Sequence, residues 1–467
     1  MKSRDPVSRR QFIARTALAS AAFSIVPRHV LGGPKFVAPS EKVNVAVVGA
    51  GGQGRSNVRE LLRLPDVQII AVADPIENHD LADFYYKGKA GRKPVKADIE
   101  KHYSEKTPNY RVAEYEDFRV MLEKEKDIDA ILCATPDHAH AYVSIAAMRA
   151  GKHVYCEKPL THNIWEARQV AKVAKETGVA TQMGNQLHAT EGMRETCESI
   201  WAGAIGTVRE VHAWVGTSRW NPTLTGRPKE TPPIPPGVNW DLWLGPREPR
   251  PFHPTYTPVA WRDFWAFGSG ALGDFGCHDL DAAVWALDLH APVSVEAKPV
   301  GKMDAEITPH GEICYFNFPA RGDKPPVKVT WYDGGLMPPR PEELGPDEAL
   351  PNRGTLFVGD NGLMLSGTGG KLRLLPASKM DGYKVPAPTL PRSKGHHRDW
   401  VDAIKGGAPA SSNFEYGARL TEIVLLGVLS LRTGKKIYWD ATKLEARNVP
   451  AAEAIIKEQY RKGWEIV

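Results

Sequence analysis

Residues 43–74 read VNVAVVGAGGQGRSNVRELLRLPDVQIIAVAD, and no other stretch of the chain constrains its fold as tightly. An apolar run, Val43 to Val48, feeds the glycine turn Gly49-x-Gly51-x-x-Gly54, with Gln53 inside it. A helix-like segment follows, then a second apolar run, Val67 to Ala73, that ends at Asp74. The order is strand, turn, helix, strand, acid. Gly49 permits the tight turn, Gly51 lets the backbone approach a diphosphate, and Gly54 lets the helix pack close to the strand. The diphosphate would rest on free N–H groups at the helix start. Asp74, 25 residues after Gly49, is placed to accept hydrogen bonds from a ribose 2′-hydroxyl. It would repel a 2′-phosphate, so NAD is expected rather than NADP. A glycine triplet alone is a weak signal; between two strand patterns and ahead of the acid it is a specific one.

At 467 residues the chain exceeds what one hydrophobic core usually supports. Its formal charge of +5 invites a nucleic-acid reading, but the charge sits in the leader. Residues 1–33 carry Lys2, Arg4, Arg9, Arg10, Arg15 and Arg28 against Asp5, which leaves residues 34–467 balanced. No basic patch is implied, and no nucleic-acid partner is expected. Within the leader, Ser8-Arg9-Arg10-Gln11-Phe12-Ile13 precedes a mildly apolar stretch, Ala17 to Val26. Twin arginines ahead of a short apolar segment read as a Tat export signal, so a periplasmic or otherwise exported protein is expected. The five cysteines are odd in number and form no CxxC, so neither a disulfide framework nor a zinc ribbon is indicated.

Residues 43–183 alternate strand and helix patterns, with a polar insertion at 79–110. Asp129 to Ala134 is a strand ending in Thr135-Pro136, and His153 to Cys156 is a strand ending in Glu157-Lys158-Pro159. Val179 to Met183 is a further strand, ahead of Asn185-Gln186. This predicts a doubly wound parallel sheet, which binds ligands beyond the carboxyl ends of its strands. From about residue 186 strand-like runs alternate with turn-rich segments, and helices are expected at Asp274 to Leu287, His396 to Lys405 and Tyr416 to Leu431. The expected fold class is α/β: a parallel sheet over 40–185, then an α+β region with a largely antiparallel open sheet over 186–445. Residues 1–33 form the leader and 446–467 a tail.

Two groups carry candidate chemistry. Lys158 follows a strand end, and Pro159 biases it toward an extended shape, holding an ammonium over the crevice to stabilise a developing alkoxide. Asp274 and His278 are four apart, so on a helix they share a face; a carboxylate beside an imidazole would orient it as general base. Alone, each group reads more readily as something ordinary, Lys158 as a surface lysine in a loop and Asp274 with His278 as a helix pair or a core hydrogen bond. A metal site from Cys277, His278 and Asp281 is disfavoured, since adjacent helix residues point apart. Six tryptophans fall within 214–265 (Trp214, Trp220, Trp240, Trp243, Trp261, Trp265), with Arg219 and Arg262 among them. Indole faces suit sugar rings, so a carbohydrate cleft is expected there, with loop packing as the alternative.

Together these residues resemble the glucose–fructose oxidoreductase/inositol dehydrogenase family, Gfo/Idh/MocA. The matching motifs are Gly49–Gly54 with Asp74, Ala134-Thr135-Pro136-x-x-x-His140, Gly151-Lys-His-Val-Tyr-Cys-Glu157-Lys158-Pro159, Asp274-x-x-x-His278, and the segment from Trp400 to Asp440. The resemblance implies a Rossmann domain, a C-terminal domain whose open sheet builds dimers or tetramers, NAD or NADP, and sugar or cyclitol substrates. It implies that Lys158 holds the substrate hydroxyl, His278 is the acid/base and Asp274 supports it. Thr135, Pro136, His140 and Glu157 would belong to the cofactor site, and Asn185 would face cofactor or substrate. The leader and the proline-rich stretches at 222–258 and 325–351 depart from simpler members.

An exported dehydrogenase meets little free NAD, so a tightly bound cofactor is expected. Either two sugars reset it in turn, or one glycoside passes through a redox-neutral cycle of oxidation, elimination, water addition and reduction. A cofactor-sensing protein without catalysis is the remaining alternative.

Overall fold

The computed structural model describes residues 37–367 and 371–466. The twin-arginine leader lies outside these residues. The chain divides into Met1–Lys42 and Val43–Val467. Of the first unit only a short turn at Pro39–Glu41 is described; the second contains both sheets.

The first sheet is parallel and built from β1 (Val43–Val48), β2 (Val67–Ala73), β3 (Ala113–Tyr115), β4 (Ala130–Cys133), β5 (His153–Cys156) and β6 (Thr181–Met183). Its spatial order is 3-2-1-4-5-6. Val45, Ala46 and Val47 are all fully buried, as expected for a strand covered by helices on both faces. The insertion at 79–110 resolves into a small hairpin, His79–Asp80 with Lys89–Ala90, and the helix Arg92–Ser104. The helix Ile164–Thr177 is bounded by clear local signals. Asn163 and Glu166 form a capping box, and Gly178 closes the last turn in the left-handed region.

The second sheet has nine strands, and all its pairings are antiparallel except that of Val208–Val215 with Val327–Tyr332. Four of its strands escape the sequence reading: Ser294–Val300, Leu372–Leu375, Ile437–Asp440 and Glu445–Ala446. The first of these contains Pro299. It falls where that strand pairs on one side only, so its missing N–H breaks no ladder.

The helix expected from Asp274 begins earlier, at Gly270, and ends at Asp279; a second helix, Asp281–Ala286, follows. Gly270–Asp279 is pressed against the long buried helix Phe414–Thr433. A Cβ on Gly427 would lie 2.4 Å from Leu272, and one on Gly276 2.9 Å from Val424. The helix that carries Asp274 and His278 is therefore fixed by close backbone approach rather than by its own caps. No helix among the described residues is long and apolar enough to cross a membrane.

Candidate active site

A cavity of about 470 Å³ runs along the carboxyl edge of the parallel sheet, between it and the helix Gly270–Asp279. Gly49, Gly51 and Gln53 line it after β1, Asp74 after β2, Thr135 and Pro136 after β4, and Glu157 and Lys158 after β5. Asp274 and His278 close it from the other side.

The glycine turn fits a dinucleotide. Gly49 has φ +88°, and a Cβ there would meet the Ala134 backbone at 2.5 Å. A Cβ on Gly54 would lie 2.0 Å from the Gly49 carbonyl, so only glycine lets this helix sit so close to β1. Gly51 has nothing within 4 Å on its Cβ side, which leaves open space above the helix start for a diphosphate. Asp74 also has a task that sequence spacing does not reveal. Its Oδ2 accepts the Ala50 N–H at 2.7 Å and its Oδ1 accepts the Ile76 N–H at 2.8 Å, so the acid shapes the turn it faces. Burial raises its pKa, opposed by His79 and those two amides.

Glu157 is buried with Oε1 accepting from Asn57 at 2.8 Å, Gln186 at 2.9 Å and Gln53 at 3.2 Å. A Cβ on Gly184 would strike this carboxylate at 2.6 Å. The strand end ahead of Lys158 is thereby locked. His140 acts similarly: its ring nitrogens face the Pro159 carbonyl at 2.7 Å and the Thr135 carbonyl at 2.8 Å. It ties the two loops together, and burial holds its pKa down at about 4.

Lys158 reaches across the cavity. Its Nζ donates to the Asp274 carboxylate at 2.5 Å and to the Asp274 carbonyl at 2.5 Å. Arg262 lies 3.2 Å from the other carboxylate oxygen, which also accepts from the Trp220 indole at 3.2 Å. Burial opposes charge on Asp274, but Arg262 and Lys158 outweigh it and hold the carboxyl well below the usual range. Burial likewise disfavours the Lys158 ammonium, and Asp274 overcomes it, so the group stays protonated.

The expected support of His278 by Asp274 is corrected here. The two share a helix face, but Asp274 makes no hydrogen bond to the imidazole, because Lys158, Arg262 and the Trp220 indole take its oxygens. His278 lines the cavity with Nδ1 buried and unpartnered among the described residues. Burial, then Lys158 and Arg353, push its pKa well below the ordinary value, so the ring is neutral. A neutral imidazole near a fixed ammonium is equipped to take a proton, while the ammonium stabilises oxygen charge.

Asn185 is also corrected. It does not reach the cavity: its side chain donates to Asp281 at 2.9 Å and accepts from Ser412 at 2.6 Å in the core. Asp281 belongs to that same buried cluster with His188 and Tyr416, and Cys277 faces Thr421, so Cys277, His278 and Asp281 do point apart. All five cysteines are buried and free.

The tryptophan-rich segment divides. Trp220, Trp243 and Trp261 border the cavity, as does Arg262. Trp214 is a sheet core residue, and Trp240 stacks on Trp243 within a cluster that includes Phe252, Tyr256, Phe264 and Phe267. Trp265 packs in the main core, and Arg219 is spent on the Lys302, Thr308 and Leu224 carbonyls. Packing of the long loop is thus the main use of these rings.

Three cavity residues carried no usable sequence signal. Asp137, one residue after the Thr135-Pro136 motif, is buried and has its pKa pushed up to about 7 by burial, against the pull of Arg262. Arg353 follows a proline-rich loop, bonds Asp279 at 2.7 Å and faces His278 from the second sheet. Trp464 arrives from the far end of the chain.

Comparison with known proteins agrees with this architecture. Residues 43–185 match the Gfo/Idh/MocA description "Oxidoreductase family, NAD-binding Rossmann fold", and residues 203–316 match "Oxidoreductase family, C-terminal alpha/beta domain". A Stenotrophomonas maltophilia (strain K279a) protein named "Glycosyl hydrolase family 109 protein" is 33% identical over 210 residues, 44% of this chain and 42% of the relative. The Bacillus subtilis (strain 168) scyllo-inositol 2-dehydrogenase (NAD(+)) is 30% identical over 166 residues, 35% of this chain and 42% of the relative. The matched segments span less than half the length of these curated relatives. Among solved structures, the WlbA dehydrogenase from Bordetella pertussis in complex with NADH and UDP-GlcNAcA superposes with TM-score 0.57 at 15% identity, over 85% of this chain and 99% of that one. Levoglucosan dehydrogenase in complex with NADH and L-sorbose gives TM-score 0.55 at 17% identity, over 85% and 98%. At such identities the superpositions speak for the fold alone. With both parts of the family pattern matched in order over more than half of its length, the chain belongs to the Gfo/Idh/MocA family of oxidoreductases, which has an NAD-binding Rossmann fold.

Proposed function

We propose that this protein oxidises a hydroxyl of a sugar, cyclitol or glycoside with NAD. The observation that carries the reading is the meeting of Lys158 and His278 on one cavity that continues to the glycine turn and Asp74. Bound there, NAD would supply the hydride acceptor. Lys158, fixed by Asp274, would hold the substrate oxygen and stabilise its negative charge; neutral His278 would take the hydroxyl proton. Trp220, Trp261 and Arg262 offer apolar faces and forked donors for a ring.

A second reading is a redox-neutral glycoside hydrolase that borrows and returns the hydride within one turnover. It is favoured by the partial likeness to the glycosyl hydrolase family 109 protein, and by Asp137, a further titratable group on the cavity that could serve the elimination and water-addition steps. Export through the Tat pathway, argued from Arg9-Arg10, fits a cofactor that stays bound, as does assembly into a dimer or tetramer through the open sheet. The test is a panel of sugars, cyclitols and glycosides given to the purified protein. Change in nicotinamide absorbance supports net dehydrogenation, and glycoside cleavage without net change supports the redox-neutral cycle. Neither response with any substrate class would leave a sensor.

A further inference from the structure

We infer that residues 457–466 form a strap over the adenosine half of the cofactor site, with Trp464 as the residue that packs on the adenine. The inference rests on the NAD reading above. In a sheet of order 3-2-1-4-5-6 the diphosphate lies at the turn after β1, one half of the dinucleotide extends over β2 and β3, and the reactive half over β4 and β5. Lys158 and His278 mark the reactive half. The other half of the cavity is bounded by Asp74 after β2 and Phe118 after β3, by Val143, by Leu242 and by Trp464. His79, Glu116 and Asp117 also line the cavity there, while Phe118, Val143, Leu242 and Trp464 give it apolar walls that fit a flat base.

The indole is held in place rather than resting there by chance. The Arg119 guanidinium sits 4.1 Å from one ring centroid, and Tyr142 packs at 5.0 Å. Gly245 faces the ring with no side chain; a Cβ there would already touch it at 3.6 Å. Trp464 lies seven residues after Lys457, and the chain between them is clamped along its length. Buried Glu458 accepts from His162 at 3.0 Å, Arg247 at 2.5 Å and Arg432 at 2.8 Å, three cations or potential cations from three separate segments. Burial alone would raise that carboxyl; Arg247 and His162 hold it well below its usual range. Tyr460 donates to Glu166 at 2.7 Å, and the Arg461 backbone donates to Pro246 at 3.0 Å. A side chain contributed so far from the glycine turn, and locked by a buried ionic clamp, covers a base that would otherwise face solvent. Leaving the site then requires the strap to move, which slows cofactor loss.

The strap is tested by binding of half-cofactors, ADP-ribose and nicotinamide mononucleotide, measured by titration calorimetry. Trp464→Ala is expected to weaken ADP-ribose about tenfold, the scale of one base–aromatic stack, and to leave nicotinamide mononucleotide unchanged; Trp464→Phe keeps most of the ADP-ribose affinity. Hydrogen exchange on the unaltered protein needs no variant: ADP-ribose is expected to slow exchange across 457–466, and nicotinamide mononucleotide is not. Unaltered ADP-ribose affinity in a folded Trp464→Ala, or unaltered exchange in the tail, overturns the strap while leaving the NAD reading intact. An unaltered protein that binds neither NAD nor ADP-ribose overturns the NAD reading, and the strap with it.

Discussion

The two ends of the cavity are built on different principles. At the Lys158 end, charges are pressed together. An ammonium and a guanidinium share one carboxylate, and a neutral imidazole stands beside them with a nitrogen left free. At the Trp464 end Phe118, Val143, Leu242 and the indole give apolar walls beside Asp74, Glu116 and Asp117, and the charges of the Glu458 clamp stand outside the cavity lining. Preorganised charge is worth most where charge develops during reaction, and a covered apolar slot is worth most where a flat base needs only to stay. Damage to one end should therefore change rate, and damage to the other should change retention.

The largest effect is expected from Lys158→Met. Removing the ammonium leaves the alkoxide unsupported and should lower the rate of nicotinamide reduction by roughly a thousandfold, while nucleotide content in the purified protein stays near that of the unaltered protein. His278→Ala should lower the same rate by about a hundredfold. Because His278 is neutral in the folded protein, its removal should not abolish a rate inflection near the ordinary histidine value. A lost inflection there would show that the ring titrates normally and that the Lys158 and Arg353 fields are weaker than the geometry implies. Asp74→Ala should act at the other end. It removes both the ribose partner and the anchor of Ala50 and Ile76, so NAD should weaken by about tenfold and NADP should be less strongly excluded, as nucleotide titrations would show.

Much of the first end is legible in the sequence, because its signals are local. The turn Gly49–Gly54, the strand-end motifs at Thr135-Pro136 and Glu157-Lys158, and the four-residue spacing of Asp274 and His278 each sit within a few residues of one another. Yet the spacing misled on one point. It put Asp274 beside His278 and was silent on Lys158 and Arg262, which come from elsewhere and claim the carboxylate. Asn185 failed for the same reason, its partners Asp281 and Ser412 being distant in sequence. At the second end only Asp74 was legible, from its place after the glycine turn; Trp464 meets Phe118 and Leu242 only through tertiary packing. Clustered tryptophans in 214–265 suggested sugar contact because stacking chemistry is the same whether the partner is a sugar or another side chain; most found side chains.

The smallest effect expected in rate is that of Asp137→Asn, within a fewfold near neutral pH, but it carries a clear sign. The folded carboxyl titrates near 7 against an unperturbed 3.8, so the unfolded chain ionises first. Its contribution to stability is present below about 4 and is lost as the pH rises through about 7. Urea unfolding at pH values on either side of that window should show Asp137→Asn gaining on the unaltered protein as the pH rises. A constant difference would mean that the carboxyl is ionised throughout.

The central claim, that Lys158 and His278 flank the reactive ring of a bound dinucleotide, is tested most directly by single-turnover nicotinamide absorbance. The unaltered protein and Lys158→Met are each loaded with NAD and mixed with a sugar or glycoside that the panel identifies. The account predicts rapid reduction in the first and almost none in the second, with equal nucleotide bound in both. Equal rates in the two proteins would contradict it.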